Sequence, residues 1–148
     1  MLSRHDISKI NNIVYEAGYK ILEIYNGPNF DVEVKSDNSP LTIADKKSNS
    51  IIENGLKSLF PAIPILSEEG NDIDYLERSK WEYFWLVDPL DGTKEFIKKN
   101  GEFTVNIALI RNGSPVFGSV YAPFVDELFW AFENMGAWKI KNKSEIKR

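Results

Sequence analysis

The stretch Phe84-Trp85-Leu86-Val87-Asp88-Pro89-Leu90-Asp91-Gly92-Thr93 runs four apolar residues straight into two carboxylates three positions apart. A continuous apolar run of this kind predicts a strand covered on both faces. The strand delivers Asp88 to its end. Pro89 fixes its own φ and donates no N–H, so the chain is expected to turn sharply there. Such a turn can aim Asp88, the Leu90 carbonyl and Asp91 at one point. Mg²⁺ takes several hard oxygen ligands in a near-octahedral shell, usually completed by water and substrate phosphate. Gly92 lets backbone approach a ligand closely, and the N–H groups of Gly92 and Thr93, if they open a helical turn, offer an anion site. Asp-Pro and Asp-Gly are each ordinary turn dipeptides. Their fusion at the end of an apolar strand, with Gly-Thr attached, is poorly explained by turn chemistry alone.

Upstream, Ile7, Ile10, Ile13, Val14, Ala17, Ile21 and Ile24 recur at three- and four-residue steps, one stripe of an amphipathic helix ended by Asn26-Gly27-Pro28. Asp31 to Lys35 alternates weakly and reads as a short strand, and Ser36 to Pro40 as a turn cluster. A second helix is expected with Thr42 as N-cap and Asp45 three residues on, a variant of the capping box, and with Ile51, Ile52, Leu56, Leu59 and Phe60 inward until Pro61. Pro64 to Ser67 is a short apolar strand running into Glu68-Glu69-Gly70, and Asn71 to Lys80 is a polar surface excursion.

Downstream the pattern is a β-meander. Phe103 to Ile110 is followed by Asn112-Gly113, the strongest short hairpin signal; Pro115 to Tyr121 returns, Glu127 to Phe132 goes out and Gly136 to Lys141 returns. Trp138 and Ile140 alternate with Lys139 and Lys141, so the last strand has one wet face. The fold class is α+β: two N-terminal helices packed on an antiparallel β-sheet.

The chain has 148 residues, 22 acidic and 18 basic side chains, one histidine (His5) and no cysteine. That excludes a disulfide framework, thiolate zinc sites and a cysteine nucleophile, and leaves no room for histidine triads. Chemistry here rests on carboxylates, hydroxyls, backbone groups, Lys and Arg. A net charge of −4 argues against bulk electrostatic gripping of nucleic acid. A phosphorylated small molecule remains compatible if cations stand between it and the carboxylates. No run of about 18 apolar residues spans a membrane. The polar start lacks a signal-peptide core, so a cytoplasmic protein is expected, with a peripheral position at the inner face of the membrane left open.

Asp88-Pro89-Leu90-Asp91-Gly92-Thr93 resembles the motif of the inositol monophosphatase superfamily of metal-dependent phosphatases. Lys94-Glu95-Phe96-Ile97 and the stretch from Asn100 to Ile110 look like its CysQ-type 3′(2′),5′-bisphosphate nucleotidase branch; inositol phosphatases generally carry Asn-Phe where this chain has Glu95-Phe96. Leu66-Ser67-Glu68-Glu69-Gly70 resembles the superfamily's acidic motif, and Thr42-Ile43-Ala44-Asp45 its Thr-x-x-Asp segment. The likeness implies the N-terminal lobe of the inositol monophosphatase-like fold over residues 1–141, followed by a polar tail at 142–148.

What the resemblance implies for the site is specific. Glu68, Asp88, the Leu90 carbonyl and Asp91 would ligate two or three Mg²⁺ ions in a complete site. Asp45 and Thr93 would orient or deprotonate the attacking water. Glu68, Leu90, Asp91, Gly92 and Thr93 would surround the substrate phosphate, and Lys35 would steady the acidic site. The implied reaction is phosphomonoester hydrolysis, converting adenosine 3′,5′-bisphosphate to AMP and phosphate. Phosphoryl transfer depends mainly on positioning and charge neutralisation, so the lack of Cys and the single His cost nothing.

Fuller members of the superfamily continue into a second lobe, with a Trp-Asp-x-Ala-Ala-type motif that completes the metal site. Here Trp81, Trp85, Trp130 and Trp138 are the tryptophans and none precedes Asp. Two further readings stay open: a catalytically inactive lobe that at most binds Mg²⁺ or phosphate, and an inositol monophosphatase. Surface that a second lobe would cover invites self-association.

Overall fold

The computed structural model describes residues 2–28, 40–142 and 144–147. The strand expected over Asp31–Lys35, the turn leading to Pro40 and the role of Lys35 lie outside the described residues.

Helix α1 (Arg4–Tyr25) opens on a capping box. Asp6 N–H donates to the Ser3 hydroxyl, and the Asp6 carboxylate accepts from Ser3 N–H at 2.8 Å. Its isoleucine stripe is buried as expected: Ile7, Ile10, Ile13, Val14, Ala17 and Ile21 all face the core. Helix α2 (Pro40–Leu59) corrects the expectation for Thr42. The helix begins at Pro40, three residues before a Thr42 cap would start it, so Thr42 lies in its first turn rather than at the N-cap. Proline suits a first helical position, because its φ is already helical and its missing N–H would have had no intrahelical partner. Gly55 of α2 lets the two helices approach closely, since a Cβ there would lie 2.7 Å from the Ile13 side chain.

Seven strands follow: β1 (Ile65–Ser67), β2 (Tyr83–Asp91), β3 (Thr104–Arg111), β4 (Ser114–Ala122), β5 (Glu127–Phe132), β6 (Gly136–Lys141) and β7 (Ser144–Lys147). They form one sheet in sequence order. The α+β reading holds, with an addition: β1 pairs parallel to β2, which makes the sheet mixed, while the remaining pairings are antiparallel. A parallel pair needs a crossover, and the polar excursion supplies it together with the short helix α3 (Tyr75–Arg78). Asn112 and Gly113 turn the β3–β4 hairpin with φ of 50° and 77°, the positive pair that a type I′ turn requires.

Alternation along the strands decides the layers. Trp85 and Val87 of β2, Val105, Ile107 and Leu109 of β3, Phe117 and Tyr121 of β4, and Leu128 and Trp130 of β5 are buried on the face that α1 and α2 cover. Between them Leu86 is 44% exposed, Val120 41% and Phe129 40%. The expectation that Phe84–Val87 is covered on both faces is therefore overturned. The run is apolar on both sides, yet among the described residues the helices pack on one face of the sheet.

The polar tail also differs from expectation. Asn142, at φ 52°, reverses the chain and Ser144–Lys147 pairs with β6. Glu145 fixes this last strand by accepting from Arg4 at 2.9 Å and from the Trp130 indole N–H at 2.8 Å. Two groups far apart in sequence thus order a segment that shows no apolar periodicity.

Candidate active site

The Asp88–Asp91 segment is not the free turn the proline suggests. It remains in β2, and the register against β3 slips: Asp88 stands opposite Asn106 and Asp91 opposite Thr104, three steps on one strand against two on the other. That extra residue is a β-bulge, which needs no ladder N–H from Pro89. Its effect on the carboxylates is geometric. In a regular strand residues three apart point to opposite faces. The bulge absorbs one residue and returns Asp91 to the face that carries Asp88. Asn106 Nδ2 reaches the Asp91 carboxylate at 3.4 Å on that same side. Pro89 and Leu90, between them, are buried.

Gly92 has φ 95° and ends the strand. A Cβ there would lie 2.6 Å from the Glu102 carbonyl oxygen. The close approach that Gly92 permits is thus to the protein's own backbone, whereas the sequence suggested approach to a ligand. Helix α4 (Thr93–Ile97) begins directly after it, with no side chain capping its first turn. Thr93 is exposed at that start. Phe96 buries itself against Tyr25 and Phe103, at ring-centroid distances of 5.2 Å and 5.4 Å, and so ties α4 to the end of α1.

Parallel pairing sets the other acidic segment beside the bulge. Ser67 pairs with Val87, and Glu68 N–H donates to the Val87 carbonyl at 3.1 Å. Glu68 therefore leaves β1 level with Asp88. Helix α2 brings Asp45 to the same place. Burial raises the Asp45 carboxyl from 3.8 to about 7, and the negative charges of Glu69, Asp88 and Glu68 add to the rise. Burial likewise raises Asp88 to about 6, helped by Glu68 and Asp91 and opposed by a hydrogen bond from the Leu90 N–H. The structure thus brings together Asp45, Glu68, Asp88 and Asp91, and places Gly92 and Thr93 directly after them. It adds Glu69, whose charge helps to raise the Asp45 carboxyl.

Among the described residues no group of three or more His, Asp or Glu is gathered tightly enough to hold an ion. Mutual repulsion favours such a spread of carboxylates. Asp45 Oδ1 and Asp88 Oδ1 are nevertheless buried with no hydrogen-bond partner among the described residues. An orphaned buried carboxylate oxygen is costly, and a divalent cation would satisfy it. The donor set is oxygen throughout, so these residues fit Mg²⁺.

Three hydrogen-bonding residues, Ser48, Asn49 and Asn106, escaped the sequence reading. Ser48 Oγ donates to the Pro89 carbonyl at 2.7 Å, and Ser67 Oγ donates to Asn49 Oδ1 at 2.6 Å. Asn106 meets Asp91. The signal for the first two was available, because Ser48 and Asn49 lie one helical turn beyond Asp45 on the same face. A groove of about 570 Å³ opens beside the acidic residues, lined by Glu68, Asp88 and Asn106, by Arg78 of α3 and by Leu86 and Val120 of the open face. No helix among the described residues is long and apolar enough to cross a membrane.

Comparisons with known proteins agree on one family. The chain is 50% identical over 137 residues to the 3′(2′),5′-bisphosphate nucleotidase CysQ of Buchnera aphidicola subsp. Acyrthosiphon pisum (strain APS), covering 92% of this chain and 51% of that protein. It is 48% identical over 134 residues to the CysQ nucleotidase of Escherichia coli (strain K12), covering 90% of this chain and 54% of the relative. The crystal structure of CysQ from Bacteroides thetaiotaomicron, described as a bacterial member of the inositol monophosphatase family, superposes with a TM-score of 0.86 at 49% identity. That match covers 94% of this chain and 50% of the other. The chain thus spans about half the length of the curated relatives it matches. The model of the inositol monophosphatase family matches residues 4–148, nearly the whole sequence, and the chain belongs to that family.

Proposed function

We propose that the chain is the carboxylate-bearing N-terminal lobe of a 3′(2′),5′-bisphosphate nucleotidase, hydrolysing adenosine 3′,5′-bisphosphate to AMP and phosphate when its site is complete. The observation that carries this reading is the bulge in β2. It returns Asp91 to the face of Asp88, and Asp88 stands level with Glu68 and within the electrostatic reach of Asp45. Identity near one half to CysQ proteins favours the nucleotide over an inositol ester as substrate.

In this reading Glu68, Asp88, the Leu90 carbonyl and Asp91 would hold two or three Mg²⁺ ions, whose chemistry would be to neutralise charge at the phosphate and to acidify water. The remaining work belongs to the chain. Asp45, set among Glu68, Glu69 and Asp88, would take the proton that the attacking water gives up. Thr93, exposed at the start of α4, orders that water through its hydroxyl. The uncapped first turn of α4, from Gly92, offers N–H groups to the phosphate oxygens. The groove beside Glu68 and Asp88 admits the phosphate and leaves room for the nucleoside.

The open sheet face supports a second reading, a lobe inactive by itself. Leu86, Val120 and Phe129 remain exposed there, and the chain matches about half of each relative. In this reading the lobe binds Mg²⁺ without turnover and self-associates through that face. Mg²⁺-dependent phosphate release from adenosine 3′,5′-bisphosphate, compared with Asp88→Ala, separates the two. Release that the substitution abolishes supports the enzyme; no release above the variant supports the inactive lobe. Faster release from inositol 1-phosphate would overturn the choice of branch.

A further inference from the structure

Asp45, Ser48 and Asn49 occupy positions i, i+3 and i+4 of α2, one face of the helix. Each meets a different part of the acidic site. Ser48 is fully buried, and its hydroxyl donates at 2.7 Å to the carbonyl of Pro89, inside the bulge between Asp88 and Asp91. Asn49 accepts at 2.6 Å from Ser67, the residue before Glu68, and donates at 3.1 Å to Glu53. Glu53 is in turn held by Lys57 one turn further along the helix. A bulge residue has lost its place in the ladder, so its carbonyl needs another partner. A hydroxyl on a rigid helix provides one at a fixed position.

We propose that Ser48 and Asn49 are positioning residues. They clamp the Asp88–Asp91 bulge and the Glu68 loop onto α2, so that both acidic segments keep one register with Asp45. This deepens the proposed metal-dependent phosphatase reading and rests on it. The clamp acts on the backbone beside the ligands, touching neither metal nor substrate. Orientation of ligands by such outer contacts commonly governs metal affinity by 10–100-fold, and about that range is expected here.

The test is Mn²⁺ binding to the full chain, read from the loss of the free-ion electron paramagnetic resonance signal, with a thermal melt of every variant. Wild type is expected to bind and Asp88→Asn to bind more weakly. Ser48→Ala is expected to weaken binding by about 10–100-fold, and Ser48→Thr, which keeps the hydroxyl, to restore most of it. Ser119→Ala is the structural control. It breaks an equally buried hydrogen bond, from Ser119 of β4 to Asn11 of α1 at 3.0 Å, which touches neither the bulge nor the Glu68 loop, and is expected to lower the melting temperature without changing Mn²⁺ affinity. Asn49→Ala, at a half-buried position, carries the same test if Ser48→Ala does not fold. Wild type and Asp88→Asn binding equally, or neither binding, would sink the carboxylate reading and the clamp with it. Asp88→Asn weak with Ser48→Ala and Asn49→Ala both at wild-type affinity would sink the clamp alone. Ser119→Ala weakening Mn²⁺ as much as Ser48→Ala would reduce the effect to general loss of stability and overturn the proposal.

Discussion

Asp45→Asn is expected to stabilise the chain at neutral pH while removing its chemistry. The Asp45 carboxyl rises from 3.8 to about 7, first through burial and then through Glu69, Asp88 and Glu68. The folded state therefore binds more protons than the unfolded state between about pH 4 and pH 7, so stability falls as pH rises through that window. Without solvent screening such a rise would cost roughly 4 kcal/mol at pH 7. Asp45 is only half-buried, and screening brings the cost to ~1–2 kcal/mol. Asparagine keeps the shape and carries no charge at either pH. In metal-free buffer its melting temperature should exceed that of the native chain by about 3–8 °C at pH 7, and by almost nothing near pH 4. Thermal unfolding followed by circular dichroism at both pH values measures this directly. A gain of equal size at both, or a loss at pH 7, would refute the argument that like charge and burial at this site work against folding. Such a gain would follow the common trade in which like charges gathered at one site oppose folding.

Glu127 illustrates the opposite sign. Lys139 and Lys141 hold its carboxyl down to about 2, each through an ion pair of 2.7 Å. Its contribution is present above the usual glutamate range and is lost as pH falls from about 4.5 toward 2; acid unfolding of Glu127→Gln should be flatter over that interval than that of the native chain. Gly92→Ala combines a positive φ with a Cβ 2.6 Å from the Glu102 carbonyl, so a loss of about 1–3 kcal/mol from backbone strain alone is expected, together with weaker Mn²⁺ binding. Denaturant titration and the resonance assay read the two effects. Leu86→Lys with Phe129→Lys places charges on the open sheet face, at positions 44% and 40% exposed, and should abolish any concentration-dependent association seen by sedimentation. Sedimentation unchanged by both substitutions would place the association elsewhere.

The meander was legible because each strand carries its own evidence. Glu127–Phe132 and Gly136–Lys141 begin and end where period-two alternation and turn residues say they should, and Asn112-Gly113 leaves little choice of hairpin. The isoleucine stripe of α1 is equally local. What failed was information that lies between segments. Nothing in Phe84–Val87 tells which of its two apolar faces finds a partner, and β7 is held through Arg4 and Trp130, 141 and 15 residues from Glu145. Composition near Ser144 is silent about both.

The acidic motif shows the same division within a few residues. Two carboxylates three apart, after an apolar strand, are visible in the sequence, but a regular strand would send them to opposite faces and a free turn would leave their direction unset. The bulge resolves this, and it can be stated only once β3 is paired against β2. Pro89, which reads as a signal to leave the sheet, is the residue a bulge tolerates best, because no ladder N–H is demanded of it. Its carbonyl still needs a partner, and α2 supplies Ser48 one turn after Asp45. Site and scaffold are thus the same hydrogen bonds seen from two sides: moving Asp88 into place obliges the helix that bears Asp45 to reach across and hold it there.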